Sequence, residues 1–493
     1  MWEGSVVVFF KFLILGYIYI NRCPMHKLMI ILAFVFAAMQ LQAQNGYKIT
    51  VQLKQYKGGM MYLAQYMGKK TYMADSAMLN EQGIAVLQGK EALPGGIYLV
   101  VFPGKTRYFE MLLDSKQENF SVSADTSDLI NKLIYKGSPE NELFVEYNKF
   151  LSKDVGVLNK EAQALLARHT AADTAGARKI QAELGKKLQA YRGEVVSKHP
   201  ESLLAGIFKM MKDPEVPPRP AGADSTFEYR YFRTHYWDNT NLSDGRLART
   251  PVLEDKLNRY FTQLVPLDPD SINVAADELI EKTRKDKENF KFVVWWLTST
   301  YETSPYMGMD AVFVHLVEKY YVAGDAYWLN DEQLNKVISR AYSIAPNLIG
   351  QQAPPLEVKD SGMKPLSLYT TKGKYTVLVF WDPTCGHCKI EVPKLDSAYN
   401  ASWKSKGVTM IGFKTEGTKE QWEQFIHDNH LNGWIHAWDP DAQSNYRRLY
   451  DVYSTPVVYL LDEKKKIIAK RLGVEQLSDV IERIDGKGKT AKQ

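Results

Sequence analysis

Hydrophobic and polar positions alternate most clearly near the start of the chain. Segment 47–53 and, less regularly, segment 96–102 place apolar side chains at every second position, as in a strand with one buried face. Turn residues such as Gly58-Gly59 and Pro94-Gly95-Gly96 separate these runs. The pattern predicts an all-β, sandwich-like domain over residues 45–130.

The hydrophobic period changes to that of a helix over residues 138–345. Segments 159–167, 177–198 and 276–298 have helical spacing and few turn residues. Ser138-Pro139-Glu140 combines a capping hydroxyl, an early proline and an acid, which together favour a helix start. The pattern predicts a mainly α middle domain.

The last third of the chain alternates between strand and helix patterns, beginning after a proline-containing linker near residue 346. We expect strands at 375–381 and 408–413, helices at 385–403, 419–429, 444–451 and 476–484, and a hairpin formed by 456–461 and 466–472. A strand set of this kind predicts an α/β domain over residues 346–485, with an antiparallel edge on its sheet.

Composition supports a multidomain globular protein and excludes one class of partner. The chain has 493 residues, of which 45% are hydrophobic and 24% are charged, so more than one core is expected. A formal net charge of +5 is small for this length, and we expect no nucleic-acid partner.

Residues 1–43 are predicted to be a targeting segment rather than part of the fold. An apolar run over 28–39 follows a basic start at Met25-His26-Lys27 and ends near Ala43, which is the pattern of a secretory signal. We interpret Met25 as the true start, with residues 1–24 over-called. The protein is therefore expected in the periplasm or cell envelope, an oxidising compartment.

Two of the three cysteines form an isolated Cys-x-x-Cys pair, Cys385 and Cys388, directly after the predicted strand 375–381. The third, Cys23, lies before the expected cleavage point. At a helix start, Cys385 would be exposed and its thiolate favoured, with Cys388 one turn further in. Cys385 would attack a substrate disulfide and Cys388 would resolve the mixed disulfide, without a metal or any cofactor beyond this redox-active disulfide. A protonated His387 would stabilise the thiolate.

The segment from Trp381 to Cys388, with Pro393 and the later Thr455-Pro456, resembles the thioredoxin superfamily, and most closely the exported TlpA/ResA-like thiol–disulfide oxidoreductases. The resemblance implies a thioredoxin fold and a cis-proline loop at Thr455-Pro456 that faces the cysteines. It also implies that Glu391 is a proton acceptor near the pair. Trp381 is expected in the core and over the sulfurs, and Gly386 and His387 separate the cysteines.

The resemblance has one departure and two weaker extensions. Val379 stands where cytoplasmic thioredoxins have a buried Asp, so either Glu391 takes over its proton work or resolution is slower. Asp75-Ser76 and Lys136 to Asn141 resemble the β domain that precedes thioredoxin domains in exported proteins of Bacteroidetes-like bacteria. The helical region resembles a companion domain of unknown activity.

Two functions stay open at this point. The first is a thiol–disulfide oxidoreductase, which the TlpA/ResA-like resemblance implies is a reductase of exported protein disulfides supplied with electrons by a membrane protein. Its direction stays open, because Gly386-His387 also resembles the pair in protein disulfide isomerase, whose couple is mildly oxidising. The alternative is a ligand- or partner-binding envelope module in which the redox domain senses or tethers. Three other interpretations of the pair are weaker. They are half a zinc site with His427 and His430, a purely structural disulfide, and a thiol peroxidase.

Overall fold

The computed structural model describes residues 46–115 and 118–490 of the chain. It divides into two units, one ending at Lys209 and the other beginning at Met210. The predicted signal segment, the start at Met25 and Cys23 lie outside the described residues. In the described part, no helix is long and apolar enough to cross a membrane.

Two four-stranded sheets form the β part of the first unit. The strands are β1 Tyr47–Leu53, β2 Met60–Met67, β3 Lys70–Met78, β4 Ile84–Gly89, β5 Gly96–Val101, β6 Tyr108–Leu113, β7 Asn119–Ala124 and β8 Leu133–Lys136. Their orders are β4-β1-β7-β8 and β3-β2-β5-β6. Alternate side chains of β1, such as Ile49 and Val51, are buried in one core with Leu63 and Val100 of the other sheet. The predicted sandwich-like β domain is confirmed.

Helices follow the sheets and confirm a mainly α middle region. In the first unit they are α1 Pro139–Phe150, α2 Gly156–Leu166, α3 Ala171–Lys198 and α4 Leu203–Met211, the last crossing into the second unit. The second unit continues with α5 Phe227–His235, α6 Pro251–Arg259, α7 Pro269–Thr283, α8 Lys287–Glu302, α9 Asp310–Leu316 and α10 Asp331–Ile344.

One helix boundary was wrong in the sequence interpretation. The spacing over 276–298 predicts a single helix, but α7 ends at Thr283 and α8 begins at Lys287. The Asp286 side chain accepts a hydrogen bond from the backbone N–H of Asn289 at 2.8 Å. This side-chain cap starts a new helix and ends the old one.

The C-terminal part of the second unit is a seven-stranded mixed sheet. Its elements are β9 Glu357–Asp360, β10 Pro365–Ser367, β11 Tyr375–Trp381, α11 Gly386–Ala398, β12 Val408–Lys414, α12 Lys419–Asp428, β13 Ile435–Trp438, α13 Tyr446–Leu449, β14 Val457–Asp462, β15 Ile467–Lys470 and α14 Val474–Thr490. The order is β10-β9-β13-β12-β11-β14-β15. Strands β11, β12 and β13 are parallel to one another, β14 is antiparallel to β11, and β15 is antiparallel to β14. This confirms the α/β class.

Strand β11 lies inside this sheet and is buried along its whole length. Val377, Val379 and Trp381 point into a core on one face, whereas Leu378 and Phe380 point into a core on the other. A strand covered on both faces shows a continuous apolar run rather than alternation, as this one does. The strand ends at Trp381, so the residues that follow it lie at the carboxyl end of this buried strand.

Asn141 closes the free edge of one β-domain sheet. Its side chain accepts from the Leu112 N–H at 2.7 Å and donates to the Leu112 carbonyl at 2.8 Å, as a neighbouring strand would. It also donates to Ser138 Oγ at 2.8 Å. Since Leu112 and Asn141 are both buried, water cannot replace these bonds.

We therefore expect Asn141→Ala to destabilise this edge by about 2 kcal/mol, because two buried backbone groups lose their partners. Amide hydrogen exchange of β6 in the full chain should accelerate by about 30-fold. Asn159→Ala, at an exposed position of α2, is the matched control and should leave β6 unchanged. Unaltered protection of β6 in Asn141→Ala would contradict this role.

Candidate active site

The loop after β11 is shaped by Asp382. Its carboxylate accepts from the backbone N–H and the hydroxyl of Thr384, each at 2.7 Å, and its carbonyl accepts from the Cys385 N–H at 3.2 Å. This Asx-type turn reverses the chain and starts α11. Cys385 becomes the residue that caps the helix, in an extended conformation, and Gly386 is the first helical residue.

Cys385 lies at the N-terminus of α11 and is partly exposed. The pKa of its thiol is lowered from the ordinary 9.0, chiefly because the backbone N–H of Cys388 donates toward the sulfur. Burial is the second-largest contribution and raises the pKa, whereas the Thr455 side chain and the Cys388 thiol lower it further. Unpaired N–H groups at a helix start favour a negative sulfur in this way.

Cys388 lies one turn further along α11 and is fully buried. Burial raises the pKa of its thiol to about 11, and the neighbouring Cys385 raises it as well. The backbone N–H of Asp382 donates to its sulfur at 3.4 Å and opposes the rise. The two thiols therefore differ in both exposure and acidity.

The loop before β14 closes the site from the other side. The Thr455–Pro456 peptide bond is cis, as the resemblance implies. The Thr455 carbonyl accepts a hydrogen bond from Cys385 Sγ at 3.5 Å. Residues 70 positions apart in sequence are thus brought into contact at the sulfur.

Trp381 is fully buried in the same core as Cys388, with its ring centroid 4.9 Å from that of Phe425. Gly412 on the neighbouring strand β12 makes room for it. A Cβ at Gly412 would lie 3.0 Å from Trp381 Nε1 and 2.9 Å from the Trp434 ring. Trp381 is therefore a core side chain beside the buried sulfur.

Three other predicted site residues, Gly386, His387 and Glu391, lie on α11. Gly386 and His387 are exposed, and a Cβ at Gly386 would meet open space. The Glu391 carboxylate accepts from Lys394 Nζ at 2.8 Å. Glu391 also lines a cavity of about 230 Å³ together with Ser454 and Pro456. The structure thus brings Glu391 to the cis-proline loop, while its charge is partly offset by Lys394.

Sequence reasoning missed Asp382, although Asp-Pro-Thr before a helix is a local turn signal. It also missed Asp451, Arg471 and Arg340, which converge next to the cis-proline loop and carry no local signal. At the position of the missing buried Asp, Val379 is fully buried and apolar. In residues 46–115 and 118–490, no group of three or more His, Cys, Asp or Glu side chains is placed to hold a metal ion.

Family comparisons match three consecutive parts of the chain. A model described as the AhpC/TSA family matches residues 349–470. Two models described as domains of unknown function, DUF5106 and DUF4369, match residues 176–345 and 47–144. The middle and N-terminal matches name no activity.

Individual relatives match the C-terminal domain. The sporulation thiol-disulfide oxidoreductase A of Bacillus subtilis is 33% identical over 113 residues, which are 22% of this chain and 67% of the relative. The thiol-disulfide oxidoreductase ResA of Oceanobacillus iheyensis is 26% identical over 136 residues, covering 26% and 69%. A solved domain of a possible thiol-disulfide isomerase from Cytophaga hutchinsonii is 38% identical, covering 30% of this chain and 99% of that one, with a TM-score of 0.28.

Through its C-terminal domain, the chain belongs to the thioredoxin-like thiol–disulfide oxidoreductases. The resemblance stated from the sequence is confirmed, and the protein is an enzyme of this class.

The different acidities predict selective alkylation of the reduced protein. At pH 7.5 iodoacetamide should modify Cys385 more than tenfold faster than Cys388, since a lower pKa and greater exposure both favour its thiolate. The Cys385 rate should rise with pH and reach half its maximum below pH 9, because its pKa lies below the ordinary value. Peptide mass spectrometry after timed quenching measures both rates. Equal rates, or faster modification of Cys388, would be inconsistent with the site described.

Proposed function

We propose that the protein reduces disulfide bonds of exported proteins through its Cys385–Cys388 pair. The observation that carries this proposal is the unequal environment of the two sulfurs on α11. One thiol is partly exposed with a lowered pKa, and the other is buried with a pKa raised to about 11. A nucleophile needs the first property, and a resolving thiol that must wait for the first step suits the second.

In the proposed cycle, the Cys385 thiolate attacks one sulfur of a substrate disulfide. A Cys385–substrate mixed disulfide forms, and the other substrate sulfur leaves as a thiolate. Cys388 then loses its proton and attacks Cys385 Sγ, which releases the second substrate thiol and leaves the Cys385–Cys388 disulfide. Two electrons pass from the pair to the substrate, and a donor dithiol must return them before the next cycle.

The second step needs a base. With a pKa of about 11, roughly one Cys388 in 10⁴ is ionised at pH 7. Glu391 lies three residues after Cys388 on the same helix and lines the cavity beside Pro456. We assign it the role of proton acceptor, which fits the absence of a carboxylate at Val379. Supporting roles around the partly exposed Cys385 sulfur are assigned to His387, Gly386, Thr455 and Pro456.

The proposal also includes the direction of electron flow and the cellular location of the protein. The segment 25–43 supports export to the periplasm or cell envelope, where disulfides form and a reductase has substrates. The TlpA/ResA-like resemblance supports a membrane protein as the electron donor. Protein thiols and disulfides are the proposed substrates.

Cysteine substitutions test the two roles separately. Cys385→Ser should abolish reduction of insulin disulfides, because no nucleophile remains. Cys388→Ser should accumulate mixed disulfides with substrate, detectable on non-reducing gels and by mass spectrometry. Asn159→Ala, at an exposed position of α2 outside the thioredoxin-like domain, is the control and should retain full activity. Full insulin reduction by either of the first two variants would refute the proposal.

Removal of the proposed base should slow resolution. Glu391→Gln should lengthen the lifetime of the mixed disulfide by about tenfold at pH 7, because proton removal from Cys388 loses its acceptor. The defect should shrink as the pH approaches the Cys388 pKa of about 11, where hydroxide ionises the thiol unaided. Rapid-quench measurement of the mixed disulfide reports this step.

Glu423→Gln is the control for that experiment, since Glu423 is also a helix acid paired with a lysine, Lys419. It should resolve at the normal rate. A Glu391→Gln variant with normal resolution at pH 7 would remove Glu391 from the mechanism and leave the cysteine roles untouched.

A further inference from the structure

A buried carboxylate links the helical region to the cis-proline loop. Asp451 has only 4% of its side chain exposed. Arg340 from α10 pairs with its Oδ1, and Arg471, just after β15, donates to its Oδ2 at 2.6 Å. Ser343 of α10 donates to Oδ1 at 3.4 Å. A charge this deeply buried requires its partners, so α10 and the thioredoxin-like domain are held together at this point.

The segment fixed by this link leads directly to the active site. Asp451 adopts a left-handed backbone conformation with φ of +49°, and Arg471 donates to its carbonyl as well as to its carboxylate. Four residues later, the Thr455 carbonyl contacts Cys385 Sγ. Arg340 of α10 is therefore connected to Cys385 Sγ through segment 451–455, whose first residue is held by Arg471.

A cavity of about 440 Å³ opens at the same place. Helix α10 contributes Ser339, Arg340 and Ser343 to its wall. The other lining residues are Tyr453 and Ser454, which immediately precede Thr455, together with Arg471 and the buried Asp451. Since consecutive Cα atoms are about 3.8 Å apart, this cavity begins within roughly two residues of the carbonyl that contacts Cys385.

The exposed surface of this cavity is rich in hydrogen-bond donors and positive in charge. Arg340 and Arg471 have 33% and 43% of their side chains exposed, whereas Asp451 lies beneath them. Glu302 approaches Arg340 Nε only to 3.9 Å, and the neighbouring Lys470–Asp310 pair is internally neutral. Among the residues that line the cavity, two guanidinium groups and one carboxylate leave one formal positive charge; Glu302, which forms an ion pair with Arg340, is not a lining residue.

We propose that this cavity is a substrate subsite, built jointly by α10 and the cis-proline loop, that binds an acidic stretch of polypeptide next to the target disulfide. The proposal rests on the proposed function, because the substrate must reach Cys385. An extended chain advances about 3.3 Å per residue, so side chains two to four positions from its cysteine reach the cavity while the cysteine is at Cys385. The helical region thereby takes part in choosing the substrate.

Peptide probes and variants at Ser339 test this subsite without disturbing the Asp451 link. Ser339 is exposed on α10, so Glu or Lys is compatible with the helix there. Three synthetic peptides each carry one cysteine in a disulfide with 2-mercaptoethanol, flanked on both sides by Asp, Ser or Lys. Reduced full-length protein is mixed with each peptide at 0.15 M salt, and the second-order rate constant of reduction is measured. Bis(2-hydroxyethyl) disulfide, which is too small to reach the cavity, serves as the reference substrate.

The expected order is Asp peptide, then Ser peptide, then Lys peptide, with about threefold or more between the extremes. Ser339→Glu should lower the Asp-to-Lys ratio by about threefold, and Ser339→Lys should raise it by a similar factor. Glu332→Gln adds the same charge as Ser339→Lys but lies about 10 Å away along α10. That distance exceeds the screening length, so the ratio should stay at the wild-type value.

The reference substrate separates two kinds of failure. If bis(2-hydroxyethyl) disulfide is reduced normally while all three peptides react equally and Ser339 variants change nothing, the subsite is refuted and the proposed function stands. If the Ser339 and Glu332 variants shift the ratio alike, the effect is general charge and the subsite is again refuted. If no disulfide is reduced at all, the proposed function fails and the subsite falls with it.

Discussion

The N-terminus of α11 sets the chemistry of this protein, because it gives two neighbouring sulfurs opposite environments. Cys385 caps the helix, where backbone N–H groups lower its pKa, and Cys388 lies one turn inside the core, where burial raises its pKa to about 11. A single helix start thus separates the thiol that is proposed to attack from the thiol that is proposed to resolve. Strand β11 and the Asp382 turn matter for function because they fix where that helix begins.

The sequence allowed the fold class and the location of the site to be predicted because both depend on local patterns. The buried apolar run of β11, the cysteine spacing after it and the Thr455-Pro456 loop are all visible in short segments. The short strands β9, β10 and β13 were missed, since three or four residues give too little periodicity to recognise. The break between α7 and α8 depends on one capping side chain, Asp286, within an otherwise helical pattern.

The Arg340–Asp451 contact shows the limit of such reasoning most clearly. The two residues are 111 positions apart, and neither belongs to a motif. Only the packing of α10 against the thioredoxin-like domain brings them together. Breaking a buried ion pair of this kind typically costs about 3–5 kcal/mol, so the contact also ties the helical region to the loop that faces Cys385. The roles assigned to the individual site residues and the domain boundaries stay predictions, because they concern reactivity and independent folding rather than position.

The most direct test of the account is the redox titration of the full chain against glutathione buffers, with the thiol state of each cysteine read by mass spectrometry. The account predicts that Cys385 and Cys388 oxidise together and reversibly to one intramolecular disulfide, as a two-electron couple with a midpoint between about −300 and −120 mV. A pair that stays fully oxidised or fully reduced across that range, or that changes by one thiol only, would contradict it.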